Sequence, residues 1–223
     1  MSTSDFSFQV LVEHPYYPQT LVFPNYKRGN LRVEQILMIV CSAVFVLVSL
    51  VMTIFRKRSI ADRATILWFT LCFLVHSGFE GYYLANVNRI VENSTILSQI
   101  WGEYGLADSR YLTGDPTTLA MEIISVFVFG PLSLLAAYGI VRRRFATRHL
   151  AQLAVSIMHL YSLIIYFYTN ILEDCKHTRP EPFYFWIYFV YFNFPWFIFP
   201  IILIIQSCRE ISTRTNLVAN KQE

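Results

Sequence analysis

Five long apolar runs dominate the chain, and each is long enough to cross a bilayer as a helix. A spanning helix needs about 20 mostly apolar residues. The runs cover about residues 35–55, 65–85, 119–141, 149–172 and 183–208. Residues 1–34 before them and 209–223 after them are polar. The pattern predicts an all-α integral membrane protein, with five transmembrane helices forming one domain over residues 35–208.

The composition agrees with a membrane protein and excludes most soluble functions. Of the 223 residues, 55% are hydrophobic and 15% are charged, whereas a typical soluble domain has about 25% charged residues. This deficit excludes a disordered chain and an ordinary cytosolic enzyme. The net charge of +3 is small and scattered, so no nucleic-acid partner is expected. An enzyme, a transporter and a lipid-binding scaffold remain open.

Lysine and arginine are concentrated on one side of the predicted bundle. Eleven of the 18 lie in the loops RKRSIADR (56–63) and VRRRFATRH (141–149) and in the tail after Gln206. Short loops rich in Lys and Arg usually stay in the cytosol. The distribution therefore predicts a lumenal N-terminal tail, residues 1–34, and a cytosolic C-terminal tail, residues 209–223. Five spans place the termini on opposite sides, in agreement with the charges.

Four ionisable side chains fall within the cores of the apolar runs, where charge is costly and usually functional. They are His76, Glu80, Glu122 and His159. His76 and Glu80 are four residues apart, so they share one face of the second helix and can interact directly. An imidazole beside a carboxylate can hold or release a proton, as acid–base catalysis requires. The alternative is an ion pair that serves only helix packing.

Glu122 is the only acid in the third apolar run. A carboxylic acid kept neutral in an apolar pocket is a competent proton donor. Ser125 follows three residues later, so its hydroxyl lies on the same helical face. The alternative for Glu122 is a side chain that extends from the helix end toward the headgroups.

The fifth run adds Asn193 and Trp196, one helical turn apart. A Trp ring attracts a positive charge over its face, more strongly in a desolvated site. Pro195 removes the hydrogen bond to the carbonyl of Tyr191, which Asn193 or another helix can then satisfy. His159 has two interpretations, a place in the same cavity or a hydrogen bond that only joins two helices.

Metal binding and transport are both disfavoured by the sequence. A metal site needs three or four convergent ligands, and His76, Glu80 and Glu122 supply three at most, with no HExxH motif. No metal ion and no cofactor are therefore predicted. Transporters usually carry internal repeats, and none is visible here. The remaining chemistry is proton transfer on a lipophilic substrate that passes through a carbocation, such as a steroid alkene.

Six sequence elements share their order and separations with a known family. They are HPYYPQ (14–19), HSGFEGYY (76–83), LSQIWGEYGLADSRYLTGD (97–115), MEIIS (121–125), GPLSL (130–134) and FNFPW (192–196). Together they resemble the emopamil-binding protein family, the 3β-hydroxysteroid Δ8–Δ7 isomerases of sterol biosynthesis within the wider EXPERA group. Each element is weak alone, but the ordered set is specific and extends over nearly the whole chain.

The resemblance implies that the chain moves the C8=C9 double bond of a sterol to C7=C8. In this family a proton is added at C9, a cation forms at C8, and a proton leaves from C7. By position, the implied catalytic residues are His76, Glu80 and Glu122, with Glu80 setting the charge on His76. Which of His76 and Glu122 donates and which accepts stays open. The other implied site residues are Ser125, expected to orient Glu122, and Asn193 and Trp196, with Trp196 facing the cation.

The resemblance also implies a membrane setting and partners. Tyr104, Tyr111 and His159 are candidate cavity-lining residues. Cationic amphiphilic drugs are expected to inhibit, because a protonated amine in a hydrophobic body mimics the sterol cation. The implied location is the endoplasmic reticulum membrane, with the nuclear envelope, and the implied partners are a second copy of the chain and other sterol-pathway enzymes.

Two features depart from the family pattern. Pro195 lies inside the Asn-x-x-Trp element, and the fourth helix carries His159 and Leu163 where uncharged polar and acidic residues are expected. These departures bear on substrate preference and leave the acid–base residues unchanged. The main alternative function is a non-catalytic relative that binds sterols or sterol-like amines. The presence of an acid, a base and a cation-stabilising Trp together favours the isomerase.

Overall fold

The computed structural model describes residues 13–220, and within them it contains helices and no strand. Five helices are long and apolar enough to cross a membrane, which confirms the predicted all-α fold with five spans. They are labelled α1 (Val33–Ile54), α2 (Ile60–Arg89), α3 (Pro116–Val141), α4 (Phe145–Leu172) and α5 (Tyr184–Ala219). Two short helices, Ile96–Gly105 and Arg110–Thr113, lie between α2 and α3. Residues 1–12 and 221–223 of the predicted tails lie outside the described part.

Four of the five helices extend beyond the apolar runs that predicted them. α2 begins at Ile60 rather than near residue 65, because the Ser59 hydroxyl caps its first turn. α3 and α4 begin at Pro116 and Phe145 rather than near residues 119 and 149. α5 continues to Ala219, where a tail was predicted after residue 208. Hydropathy marks only the part of a helix that lies in hydrocarbon, whereas its polar turns continue into water.

The helices pack in chain order and present an apolar outer surface. α2 packs on α3, α3 on α4 and α4 on α5, while α1 lies at the edge against α2. Outward-facing side chains such as Phe45, Phe127 and Tyr161 are 67–71% exposed. A soluble monomer rarely exposes so continuous an apolar surface. The outer surface is therefore suited to contact with lipid.

Two hydrophobic clusters fill the interior of the bundle. The first joins α2, α3, α4 and α5 and includes Phe69, Phe129 and Val155. The second is largely aromatic, and it joins the short helices to α2, α4 and α5 through residues such as Trp101 and Tyr166. The HPYYPQ segment belongs to this second cluster through Tyr16, whose ring packs against that of Phe23. The polar side chains of interest lie where the two clusters meet.

Candidate active site

The membrane helices that carry the predicted site residues are irregular near those residues. Leu74–Glu80 of α2, Ser125–Phe129 of α3 and Tyr184–Val190 of α5 are π-helical. A short 3₁₀ turn, Tyr191–Asn193, follows in α5. π-Helical turns are rare and are frequently found at functional sites. The first segment holds His76 and Glu80, and the second begins at Ser125. The 3₁₀ turn after the third segment ends at Asn193.

α2 and α3 approach each other closely beside these turns. A Cβ atom placed on Gly130 would lie 3.1 Å from the Cβ and 3.2 Å from the backbone nitrogen of Ser77. A side chain at this position would push the helices apart, so glycine permits the contact. The approach brings His76 of α2 within hydrogen-bonding distance of Ser125 of α3.

His76, Glu80 and Ser125 form one buried hydrogen-bonded set. The Nδ1 atom of His76 lies 2.9 Å from Oε2 and 3.0 Å from Oε1 of Glu80. The Ser125 hydroxyl donates to Glu80 Oε2 at 2.5 Å and lies 2.7 Å from His76 Nδ1. The structure thus differs from the expectation that Ser125 orients Glu122. Ser125 contacts Glu80 instead, because the close approach of α2 and α3 brings its hydroxyl next to the carboxylate of α2.

The other ring nitrogen of His76 faces α4 and α5. His76 Nε2 lies 3.0 Å from Nε2 of His159, and the Trp196 indole N–H approaches it at 3.5 Å. A proton on His76 Nδ1, facing the Glu80 carboxylate, leaves the single lone pair of Nε2 facing both groups. The two interpretations of His159 therefore coincide: it joins two helices, and it does so within the site.

Glu122 lies beside this set and has an oxygen without a partner. Its side chain is buried next to Glu80 and Tyr111. Its Oε2 atom has no hydrogen-bond partner among residues 13–220. The alternative of a carboxylate extended toward the headgroups is therefore wrong, because burial in the bundle encloses the side chain. A buried polar atom left free is unusual, and it is available to a ligand.

Asn193 of α5 forms hydrogen bonds that differ from the sequence expectation. Its side-chain amide donates to the carbonyl of Phe189 at 2.8 Å and to the Tyr104 hydroxyl at 3.2 Å. The Tyr191 carbonyl, expected to need Asn193 or another helix, instead accepts from the N–H of Phe194. The 3₁₀ turn before Pro195 brings this nearer N–H into place. Asn193 is thus free to join α5 to the short helix Ile96–Gly105, which carries Tyr104.

A chain of polar groups continues from Tyr104 into the loop before α3. The Tyr104 hydroxyl lies 3.5 Å from the Tyr166 hydroxyl, which donates to Asp108 Oδ2 at 2.7 Å. Arg110 Nη2 donates to the same oxygen, also at 2.7 Å. Burial raises the pKa of Tyr104 to about 12, so its hydroxyl is neutral at physiological pH. Burial, followed by the charge of Glu122, raises the pKa of Tyr111.

The Asp108–Arg110 pair was not singled out from the sequence. Both residues are almost completely inaccessible, at 0% and 1% exposure. Burial acts to lower the pKa of Arg110, and the hydrogen bonds of Asp108 outweigh it, so that the pKa is raised. The available signal was an acid and a base two residues apart within the LSQIWGEYGLADSRYLTGD element. Because this element lies outside the apolar runs, burial of the pair was not evident.

A sulfur ligand also lies next to the two imidazoles. The Cys72 thiol and one ring nitrogen each of His76 and His159 lie within 4.8 Å of one another. These donor atoms are of the kinds that zinc and copper favour. The Nε2 atoms of the two histidines are, however, already hydrogen-bonded to each other. The expectation that the protein uses no metal ion stays a prediction.

Comparison with known proteins assigns the family. The model described as EXPERA, the expanded EBP superfamily, matches residues 96–207. The 3-beta-hydroxysteroid-Delta(8),Delta(7)-isomerase of Mus musculus is 29% identical over 214 residues, 93% of each chain. The probable isomerase of the same name from Arabidopsis thaliana is 31% identical over 212 residues, 94% of each chain. Isomeliandiol synthase of Melia azedarach is 34% identical over 158 residues, 70% of this chain and 73% of its own.

The family match and the site agree with each other along the chain. The matched residues 96–207 include Glu122, Ser125, His159, Asn193 and Trp196. The full-length relatives extend the similarity to more than nine-tenths of the sequence, at 93–94%. The family predicted from the sequence motifs is thereby confirmed, and this chain belongs to the EXPERA, or expanded EBP, superfamily.

Proposed function

We propose that this protein is a sterol Δ8–Δ7 isomerase that acts within the membrane. Relatives that cover 93–94% of the chain bear the name of this activity. The structural observation that carries the proposal is the buried set of His76, Glu80 and Ser125 beside the free carboxyl oxygen of Glu122. Such a set supplies a proton donor and a proton acceptor in one apolar enclosure.

The reaction conserves atoms and electrons without a cofactor. A proton adds to C9 of the C8=C9 double bond, and the positive charge forms at C8. A base removes a proton from C7, and the electrons of that C–H bond form the new C7=C8 double bond. One proton enters and one leaves, so the chemistry needs a donor, an acceptor and a means of stabilising the cation between the two steps.

Glu122 is the group proposed to deliver the proton. Its Oε2 atom has no partner in the described chain, whereas both oxygens of Glu80 contact His76 and one also accepts from Ser125. A neutral carboxylic acid in an apolar site donates readily to a weakly basic carbon. Of the two acids, Glu122 is therefore the one free to face the substrate.

His76 is the group proposed to accept the proton from C7. Glu80 holds its Nδ1 side and stabilises the imidazolium that forms. Ser125 holds Glu80 in place, so Glu80 and Ser125 are positioning residues. The opposite assignment, with His76 as donor and Glu122 as acceptor, uses the same atoms. The deuterium experiment below distinguishes the two assignments.

Trp196 and Asn193 are proposed to stabilise the cation and to shape the site. The Trp196 ring centre lies 6.2 Å from that of His76, with the rings near perpendicular. An indole face near a carbocation stabilises its charge, most strongly where water is excluded. The same surroundings favour lipophilic amines, which carry a positive charge inside a hydrocarbon body when they are protonated.

The experiment follows a Δ8 sterol in deuterated water with purified protein in lipid nanodiscs. The wild type should give Δ7 sterol with one deuterium at C9. Glu122→Gln should bind sterol but not isomerise it, while Glu34→Gln, a change of an exposed acid on α1, should behave as wild type. Incubating Δ7 sterol with Glu122→Gln separates the two assignments. Deuterium exchange at C7 is expected if His76 is the C7 base, and its absence with sterol bound would favour the opposite roles.

The main competing function is binding of sterols or amines without catalysis. Wild-type protein that binds the Δ8 sterol tightly but leaves its double bond in place would establish that function and overturn the isomerase.

The proposed location follows from the activity: sterol biosynthesis takes place in the endoplasmic reticulum membrane, where the basic loops and the end of α5 would face the cytosol. Protease protection of a C-terminal tag in sealed microsomes tests that orientation.

A further inference from the structure

A basic cleft lies at the end of the bundle opposite the site. It has a volume of about 410 Å³ and is bounded by the start of α2, the end of α3, the start of α4 and the polar part of α5. Its cationic lining residues are Lys57, Arg58, Arg143, Arg144, Arg148 and Arg214. The acids that line it are Asp62 and Glu210, which leaves six positive charges against two negative. At 1.5 Å per residue, Ser59 and His76 are roughly 25 Å apart along α2, so the cleft is separate from the site.

Few of these positive charges are neutralised within the described chain. Arg148 Nη1 pairs with Asp62 at 2.8 Å, but the buried Arg148 Nε has no hydrogen-bond partner among residues 13–220. Arg58 donates to the carbonyl of Val141 at 2.6 Å, at the end of α3. Among the same residues, Lys57, Arg143, Arg144 and Arg214 form no ion pair. The cleft therefore keeps a surplus of donors and positive charge.

The backbone adds to this positive field. α4 begins at the cleft with Phe145, and no side chain caps its first turn. The N-terminus of a long helix carries unpaired N–H groups and the positive end of its dipole. Arg143 adopts a positive φ of 52°, in the left-handed region where glycine is favoured. This turn places Arg143 and Arg144 together at the start of the helix.

The walls of the cleft are held by close backbone packing. A Cβ atom on Gly139 would lie 2.5 Å from the backbone nitrogen of Arg148. The end of α3 and the start of α4 are thus in direct contact, and the turn that carries Arg143 and Arg144 is short. The general preference for Lys and Arg in cytosolic loops explains their number on this side. It does not explain their convergence on one cleft, or a buried Arg148 Nε without a hydrogen-bond partner among residues 13–220.

An apolar groove adjoins the basic cleft. It also has a volume of about 410 Å³, and its lining includes Ile211, Val218 and Ala219 of α5. The two cavities share Phe145 and Arg214. The Arg214 guanidinium lies 4.4 Å above the Phe145 ring and so marks the boundary between them. The groove lies on the part of α5 past residue 208, beyond the apolar run, so the acyl chains of a bilayer lipid would not reach it.

We propose that the basic cleft binds an anionic phospholipid, with the phosphorylated headgroup among the arginines and the acyl chains in the bilayer. Basic pockets between membrane helices are suited to phosphorylated headgroups, and Arg pairs with phosphate oxygens through parallel N–H groups. A free phosphate compound would share the headgroup chemistry. The cleft is bounded by the ends of helices long and apolar enough to cross a membrane, which is where lipid headgroups lie, and this position favours the lipid.

The test measures lipid binding by full-length protein in detergent, by native mass spectrometry and by thermal shift. The probes are dioctanoyl phosphatidylinositol 4-phosphate, dioctanoyl phosphatidylcholine and inositol 1,4-bisphosphate. The wild type should bind the anionic lipid in preference to the other two. The double variant Arg143→Gln/Arg214→Gln should bind it on the order of tenfold more weakly. Both residues are exposed, so the variant is expected to fold, which its thermal unfolding without lipid checks.

The matched control removes the same charge from the same side of the protein. Arg56→Gln/Arg209→Gln changes two exposed arginines that do not line the cleft, and it should bind as wild type. Equal weakening of both double variants would reduce the effect to general surface charge and overturn the proposal. Binding of phosphatidylcholine as tight as that of the anionic lipid would also overturn the proposal. Binding of inositol bisphosphate as tight as that of the lipid would make the ligand a free phosphate compound and overturn the lipid. None of these readouts depends on sterol turnover, so they stand apart from the isomerase assignment.

Discussion

The Nε2 atoms of His76 on α2 and His159 on α4 lie 3.0 Å apart, so two imidazoles from different helices share one hydrogen bond. Such a bond needs a proton on one nitrogen and a lone pair on the other. The remaining nitrogen of His159 is buried and has no partner within residues 13–220, whereas that of His76 contacts Glu80 and Ser125. The protonation of His76 is therefore tied to a residue on α4.

Replacing His159 tests this tie. His159→Phe fills the space but leaves His76 Nε2 without this partner, and kcat should fall about tenfold, the usual effect of losing one buried hydrogen bond. KM should change little, because the substrate need not contact His159. His159→Gln keeps a polar amide and should lose less. Steady-state conversion of Δ8 sterol measures both constants, with His177→Gln, a change outside the membrane helices, as the control. A changed KM with an unchanged kcat would mean that His159 contacts the sterol instead.

Removing the Ser125 hydroxyl tests the positioning of Glu80. Ser125→Ala loses the contacts to Glu80 and His76, and kcat should fall about 10- to 100-fold, because hydrogen bonds to charged groups are the stronger ones. Ser125→Thr keeps the hydroxyl and should keep most of the activity. Ser133→Ala removes a buried hydroxyl of the same helix that has no partner in the described chain, and should be neutral. Equal losses in Ser125→Ala and Ser125→Thr would point to packing and not to the hydroxyl.

Gly130 allows α2 and α3 to meet. Gly130→Ala would place a methyl group against Ser77, so the free energy of unfolding should fall by about 1–3 kcal/mol, as for other overpacked positions. Thermal unfolding in one detergent measures the change. Gly78→Ala is the contrast, because nothing lies within 4 Å of its Cβ position. If both substitutions left the unfolding temperature unchanged, the close helix contact would not limit stability.

The buried Asp108–Arg110 pair should matter more for stability than any exposed ion pair. Arg110→Met leaves the charge of Asp108 buried without its partner, which costs about 3–5 kcal/mol. Adding Asp108→Asn removes that charge and keeps an acceptor for Tyr166, so the double variant should recover much of the loss. Lys176→Met breaks a largely exposed pair with Glu173 and should cost under about 1 kcal/mol. A double variant less stable than Arg110→Met would contradict this explanation.

Trp196 should determine the affinity for lipophilic amines. Trp196→Leu removes the aromatic face and should weaken inhibition by a sterol-like tertiary amine by about tenfold. An uncharged carbon analogue of the same shape should lose little. Trp186→Leu changes a Trp of the same helix that is 60% exposed, and amine inhibition should be unaffected. Inhibition constants for both compounds decide the question, and parallel losses for amine and carbon analogue would exclude a charge effect.

Much of the architecture could be predicted from the sequence, because every helix that crosses the hydrocarbon of a bilayer needs about 20 mostly apolar residues. Apolar length identified all five helices, and the four-residue spacing of His76 and Glu80 correctly indicated their contact. Family motifs then identified the superfamily. These signals are local in the chain or are shared with relatives, so they need no knowledge of how the helices pack.

The missed features depend on how helices meet. The partner of Ser125 is Glu80 and not Glu122, because α2 and α3 pack closely beside it. The Tyr191 carbonyl accepts from the N–H of Phe194 through a local 3₁₀ turn. Helix periodicity assumes a regular 3.6-residue turn, so it anticipates neither a contact between two helices nor a local irregularity. The burial of Asp108 likewise results from loop packing.

The wide turn Leu74–Glu80 has a consequence for the whole of α2. A π-helical turn amounts to the insertion of one residue into a regular helix, and each residue of an α-helix rotates the chain by roughly 100°. Before the turn Ile66 packs in one cluster, and after it Tyr83 packs in the other. Deleting one residue here would straighten the helix and rotate one half out of register with its neighbours. The extra residue thus corrects the rotation of the helix, which lets a single helix contribute to two hydrophobic clusters with the His76 imidazole between them.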